Sequence, residues 1–250
     1  ALSGRCQLTV EATRVCGVRL RVLGPVELQH PDGHLVPLGG PRQTVLLALL
    51  ASAANRPLSA GRLIDLLWPE NQPANPVAAL HNGIFRLRKA IAGTGMTIRS
   101  RPSSYQLCAS RDHIDALVFE DLARAAAEGD PDSLAAALRL WQGEPYLGLH
   151  HVSPLRHEAA RLNDLKLSSL ENSARRLSAA GEHAAAVWAL RHCVAEAPLR
   201  ERSRILLMRV LAASGRTPEA LEEYRDYRTV LVGETGFDDG IELKRHVALR

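Results

Sequence analysis

The sequence predicts a mainly α chain in two parts. A small N-terminal sheet, three helices and a closing β-hairpin are followed by an all-α run of repeated helix pairs. Three observations predict this. Strand-like segments bracket three helices of apolar period before residue 110. Beyond about residue 115 strand signals are few, and Ala, Leu, Arg and Glu dominate. Six residues of the second half recur at one offset, 34 positions apart.

Val18 to Leu28 reads as a strand, with Arg19 and Arg21 alternating against Leu20 and Val22. Pro31-Asp32-Gly33 is a turn signal, and Leu35 to Leu38 the returning strand. Pro41 opens an apolar helix to about Ala54 around Val45, Leu46, Leu49 and Leu50. Ser59 suits the cap of a short helix, Ala60 to Leu67, with Leu63, Ile64 and Leu67 inward. Asn75 suits the cap of a third helix, with Pro76 in the first turn, where a missing N–H costs nothing. Val77, Leu80, Ile84, Leu87 and Ile91 form its apolar stripe. Met96 to Ile98 and Tyr105 to Cys108 read as two strands, with Arg99 to Ser104 as the turn between them. Strands, three helices and a basic-tipped hairpin describe a winged helix-turn-helix with an N-terminal sheet.

The third helix carries the chemistry. Opposite its apolar stripe stand Asn82, Phe85, Arg86 and Lys89, flanked by His81 and Arg88. Arginine reads guanine edges, asparagine reads adenine, and an apolar ring touches thymine methyls, so this face suits a DNA major groove. The same pattern also describes an ordinary solvated helix, and charge decides between the two. Residues 1–106 hold 12 Lys+Arg against 5 Asp+Glu, a net of +7, whereas residues 107–250 hold 19 against 22, a net of −3. Positive charge therefore collects in the half that holds the candidate recognition helix.

Within that face, Asn82 and Arg86 are the expected base-reading residues and Lys89 a phosphate contact, with His81 at the edge. Phe85 either makes an apolar base contact or packs against the wing. Arg42 and Gln43, at the start of the first helix, are expected to meet a phosphate. Arg99 and Arg101, with Ser103 and Ser104, would follow the wing along the backbone or into the minor groove.

In the second half, Leu177, Gly181, Ala186, Val187, Leu190 and Arg191 are matched by Leu211, Gly215, Ala220, Leu221, Tyr224 and Arg225. An offset of 34 is the length of a tetratricopeptide unit, in which glycine ends one helix and small alanine lets the next pack closely. Helices are expected at 116–128, 132–142, 154–180, 183–196, 200–214, 217–232 and 239–249, with Gly143, Pro145 and Gly148 breaking the chain after the second. Such a domain serves protein contact or inter-domain packing. The expected domains are an N-terminal extension, 1–17, a DNA-binding domain, 18–110, and a helical domain, 111–250.

Several classes are set aside. Cys6, Cys16, Cys108 and Cys193 form no C-x-x-C pair and no zinc spacing, and read as reduced thiols of a cytoplasmic protein. No apolar run is long enough to span a membrane and no secretory signal is present. Phosphate-binding glycine motifs are missing, and no cofactor or metal is expected. His150-His151 near Glu144 and His157 completes no catalytic set, so the chain does not read as an enzyme. Its rival reading is a protein-interaction scaffold.

The residues from 18 to 250 resemble the Streptomyces antibiotic regulatory protein family. The matching segments are Leu23-Gly24-Pro25-Val26-Glu27, Leu38-Gly39-Gly40-Pro41-Arg42-Gln43, Asn55-Arg56-Pro57-Leu58-Ser59, Leu63 to Pro69, Arg86-Leu87-Arg88-Lys89 and Tyr105-Gln106-Leu107. The second half adds Leu138 to Gly143, Pro198-Leu199-Arg200-Glu201, Gly215-Arg216 through Tyr224, and Gly236 through Leu243. The chain departs from the family at Ser104, where glycine usually precedes the wing tyrosine, at Gly83, where members carry a larger residue, and at Asp238-Asp239, where a proline usually stands nearby.

The resemblance implies an OmpR-like winged helix followed by a bacterial transcriptional activator domain. It further implies a head-to-tail homodimer on direct repeats near a promoter −35 element. That pair would recruit RNA polymerase holoenzyme through its sigma factor region and the C-terminal domain of its alpha chain. Antibiotic biosynthesis genes would be the targets. The connector bearing Trp68, Glu70, Asn71 and Gln72 would, by the same resemblance, touch polymerase; alternatively Trp68 is a core plug and the loop passive. Some members continue into an ATPase and sensor region, so the chain also reads as the N-terminal part of a larger regulator.

Overall fold

The structure is a computed structural model and describes residues 17–236. The expected N-terminal extension, apart from its last residue, and the expected helix 239–249 lie outside the described residues. Packing forms two compact units. The first takes the described residues up to Ala125 together with Asp130–Leu165; the second takes Ala126–Gly129 and the described residues from Lys166 onward.

The first unit opens with an antiparallel sheet, β1 (Leu20–Arg21), β2 (Glu27–Gln29) and β3 (Leu35–Val36), paired in chain order. The single strand expected over Val18 to Leu28 is therefore two strands folded on each other, with Leu20 opposite Leu28. The reason lies in Gly24-Pro25: proline has no N–H for a ladder and glycine accepts the bend. The bend is also held from outside. The Asp115 carboxylate, 2% exposed, accepts from the backbone N–H groups of Val22 (2.8 Å) and Leu23 (3.0 Å) and of Ala116 (2.7 Å). Burial pushes its carboxyl up from 3.8 to about 7, and the three amide donors oppose that rise.

Three helices follow: α1 (Pro41–Ser52), α2 (Ala60–Leu67) and α3 (Pro76–Ala90). Both expected caps form. Ser59 Oγ accepts from the Arg62 N–H at 3.3 Å, and Asn75 Oδ1 from the Ala78 N–H at 2.9 Å. The apolar faces of the three helices meet in one core with Leu46, Leu50, Leu63, Leu80, Ile84 and Leu87. Val77, placed in the apolar stripe by periodicity, is 51% exposed, because it stands in the first turn beyond the edge of the core.

The hairpin is longer and tighter than expected. Strands β5 (Thr97–Arg101) and β6 (Ser104–Cys108) run up to a turn of Pro102 and Ser103 alone, with Arg101 opposite Ser104. Ser103 takes a positive φ of 58°. A short strand not expected from the sequence, β4 (Leu58–Ser59), pairs with β6, so the order of this second sheet is β4-β6-β5.

This unit extends past residue 110. Helices α4 (Asp115–Glu128) and α5 (Pro131–Arg139) supply Phe119, Leu122, Ala136 and Ala137 to its core, and α6 (Ser153–Ala179) supplies Leu155 and Leu162. Trp141 packs edge-on to the buried Phe119 ring, centroids 5.1 Å apart. The Gly143-to-Gly148 break brings backbone donors onto the first sheet: Gln142 N–H to Leu23 O (2.8 Å), Tyr146 N–H to Val22 O (2.8 Å) and Leu147 N–H to Gly24 O (3.0 Å).

The second unit holds the rest of α6, then α7 (His183–Glu196), α8 (Glu201–Ala213) and α9 (Thr217–Thr235). The 34-residue offset is visible in its hydrogen bonds. Past the end of α6 the Glu182 N–H reaches Leu177 O at 2.8 Å and the Gly181 N–H reaches Ser178 O at 3.1 Å. Past α8, Arg216 reaches Leu211 at 2.9 Å and Gly215 reaches Ala212 at 3.0 Å. Both glycines adopt a left-handed φ, 83° and 77°, which a β-carbon would oppose. Inside this unit Glu171, fully buried, is held by Arg200 (2.8 Å), Arg202 (3.0 Å) and Ser203 Oγ (2.7 Å). The Cys193 thiol is also buried and pushed up to about 11, chiefly by desolvation.

Candidate nucleic-acid interface

The burial of Leu80, Ile84 and Leu87 fixes which way α3 faces. His81, Asn82, Phe85, Arg86 and Lys89 lie on its other side, and all five are exposed. Phe85 is 56% exposed, and Lys89 Nζ lies 4.7 Å over its ring centroid. Of the two readings of Phe85, the structure therefore places it outward, not under the wing. His81 stands edge-on to Tyr105 of β6, centroids 6.3 Å apart. It is the member of the set that touches the wing.

Between the start of α1, the end of α2 and α3 lies a groove of about 410 Å³, lined among others by Gly40, Arg42, Trp68, Asn82 and Arg86. The cap of α1 is Gly40, which offers no side chain to the first amides, and Pro41 has no N–H. Arg42 is exposed at this helix start, where the helix dipole is positive. Gln43 is otherwise engaged. Only 8% exposed, it turns inward and donates from Nε2 to the Gly83 carbonyl at 2.9 Å, while its own N–H bonds Gly40 O. The expected phosphate contact of Gln43 is corrected on this ground: its side-chain amide is spent joining α1 to α3.

The same approach accounts for Gly83. A β-carbon there would lie 3.1 Å from Leu46 Cδ2 of α1, tighter than ordinary van der Waals contact. The glycine inside this helix is where the first helix comes close.

The wing is locked to α3 by a residue that periodicity placed on the flank of the face. Arg88 donates to the Ile98 carbonyl from Nε (3.1 Å) and Nη2 (2.9 Å), and to Ser100 Oγ (2.8 Å). Arg99 and Arg101, two apart on β5 and both exposed, share one face of the strand. They belong to the strand, not to the turn where they were expected. The tip is Pro102-Ser103; Ser103 O accepts from the Ala60 N–H at 2.8 Å, pinning the tip to the start of α2. Ser104 is half-buried and paired with Ser59, so it lies in the ladder and not at the tip. In the connector, Trp68 is half-buried against the core, whereas Glu70, Asn71 and Gln72 are exposed.

An aromatic, amide-bearing and basic helix face beside an arginine-bearing hairpin is the geometry a DNA-binding winged helix needs. The model of the "Bacterial transcriptional activator domain" matches residues 114–248. The chain belongs to the Streptomyces antibiotic regulatory protein family of transcriptional regulators. Among relatives of this family, the regulatory protein AfsR of Streptomyces coelicolor is 37% identical over 230 residues, 88% of this chain and 23% of AfsR. The transcriptional regulator RedD of the same organism is 32% identical over 246 residues, 92% of this chain and 69% of RedD. The solved structure of Mycobacterium tuberculosis EmbR in complex with a low-affinity phosphopeptide superposes with a TM-score of 0.80 at 30% identity. It covers 92% of this chain and 64% of EmbR. The chain thus spans about a quarter of AfsR, and the family's fold, a winged helix followed by a helical domain, is the one seen here. No helix among the described residues is long and apolar enough to cross a membrane.

Proposed function

We propose that this chain is a sequence-specific transcriptional activator of the cytoplasm that lays α3 in the major groove. Asn82 and Arg86 read base edges, Phe85 touches a thymine methyl, and Lys89 meets a phosphate. His81 borders that face. Arg42 takes a phosphate at the start of α1, and Arg99 and Arg101 follow the adjacent backbone or minor groove. The carrying observation is that Asn82, Phe85, Arg86 and Lys89 are exposed together on one face, beside a wing tied to the same helix by Arg88.

Family membership supports the finer reading. The protein binds direct repeats near a promoter −35 element as a head-to-tail pair and recruits RNA polymerase holoenzyme, with antibiotic biosynthesis genes as targets. The exposed connector residues Glu70, Asn71 and Gln72, beside Trp68, form the polymerase contact.

Fluorescence anisotropy of the chain against a direct-repeat promoter fragment and a scrambled one, across a salt series, tests the reading. A preference for the repeats with steep salt dependence is expected, the slope counting the phosphates contacted. Absence of binding at low salt would refute it in favour of a protein-interaction scaffold.

A further inference from the structure

The turn between β2 and β3 carries His30-Pro31-Asp32-Gly33-His34. It holds no cysteine pair and no widely spaced histidines, because its three ligand-type residues alternate within five positions. Folding brings them together. His34 Nδ1 lies 2.5 Å from Asp32 Oδ1, and His30 Nδ1 lies 3.3 Å from Asp32 Oδ2. The two imidazoles stack with centroids 4.9 Å apart and planes 24° from parallel, and the ligand atoms of all three residues lie within 4.8 Å of one another.

The turn is built before any ligand arrives. The His30 N–H bonds His34 O and the Gly33 N–H bonds His30 O, both at 2.9 Å. Gln29 Nε2 reaches Gly33 O at 2.7 Å, and the His34 N–H reaches Asp32 Oδ1 at 3.1 Å. His30 is set from its other side: a β-carbon at Gly93 would lie 3.0 Å from His30 Nε2, so glycine there makes room for the ring. His30 Nδ1 is buried and has no hydrogen-bond partner among the described residues, although it faces the carboxylate.

The geometry points to a divalent transition-metal site formed by His30, Asp32 and His34, of the kind that takes Zn2+. Two imidazoles and a carboxylate are borderline nitrogen and oxygen donors suited to that ion. Tetrahedral zinc at about 2.0–2.1 Å from its ligands sets them roughly 3.3 Å apart, near the His30–Asp32 separation. The closer His34–Asp32 pair opens by roughly an ångström as the metal replaces the proton they share. Three protein ligands leave the fourth position to water. The site is separate from the helix face that reads DNA, and it abuts the Gly93 turn that follows α3.

Zn2+ titration of the tag-free full chain by calorimetry, with metal analysis after dialysis, tests this. One equivalent is expected for the wild type, weakened at least tenfold in Asp32→Asn and in His34→Gln, while both variants keep the metal-free melting temperature. Co2+ substituted at the site is expected to show no thiolate charge-transfer band. The wild type binding no equivalent, either variant binding it unchanged, or a thiolate band in the Co2+ spectrum would each overturn the assignment.

Discussion

Gln43 Nε2 donates to the Gly83 carbonyl at 2.9 Å, and this bond joins the first helix to the middle of α3. It forms where Gly83 leaves no side chain between the two elements, with Leu46 against the bare backbone. The orientation of α3, and so the direction in which Asn82 and Arg86 face, is set at this crossing.

Gly83→Leu tests the crossing. Added bulk has to displace Leu46 from a core in which it is only 1% exposed. Overpacking of this kind costs about 1–3 kcal/mol and outweighs the roughly 1 kcal/mol that leaving glycine returns to a helix. Urea unfolding is expected to show a net loss of stability, and DNA affinity to fall with it. Stability at or above wild type would mean that the close approach is not limiting.

Arg86 and Arg101 are expected to differ in kind. Arg86→Ala removes a base-reading group and costs about 1–3 kcal/mol on the operator while leaving random DNA little changed. Arg101→Ala weakens both fragments alike and lowers the salt slope by about one. Anisotropy titrations of each variant on both fragments separate the roles; equal losses for Arg86→Ala would remove its reading role.

Arg88 is bonded to the wing, so its effect on DNA binding is expected to be indirect. Arg88→Ala releases three hydrogen bonds that fasten β5 to α3. Faster amide hydrogen exchange is expected in the wing, at Thr97 to Arg101, with a loss of affinity that is the same for every sequence. Unchanged exchange across β5 would show that the wing is held without it.

Asp115 makes the first unit sensitive to pH in a direction unusual for an aspartate. Its folded value, about 7, lies above the ordinary 3.8. Its favourable contribution is therefore fully present below 3.8 and is lost as pH rises through 7. The whole effect is at most roughly 4 kcal/mol. Unfolding free energies at pH 4.5, 6 and 8 are expected to fall relative to those of Asp115→Asn, which cannot ionise. Parallel curves for the two proteins would show that Asp115 ionises normally.

Local signals carried much of the architecture. Ser59 and Asn75 as caps, the burial of Leu63, Ile64 and Leu67, and the 34-residue recurrence from Gly181 to Gly215 all depend on neighbours within a few residues, which a linear pattern records. The outward set on α3 followed from the same periodicity once its apolar stripe was found. Where contacts span long distances, the pattern stopped short. Strand β4 exists only because β6 pairs with it, and the turn at Gly24-Pro25 is held by Asp115 about 90 residues on. Gln43 reads as a helix-start polar residue until Gly83, 40 positions away, takes its amide. Arg88 reads as a surface cation until the wing offers a carbonyl.

By itself the sequence determined the helices among the described residues, the Ser59 and Asn75 caps, the repeat and the chemical character of the outward face of α3, because hydrophobic period and capping are short-range effects. Tertiary structure alone decided which polar groups remain open to a partner. A side chain's availability depends on which distant backbone it meets, and folding spent Gln43 and Arg88 on the protein while leaving Arg86 exposed and Asn82 at the groove.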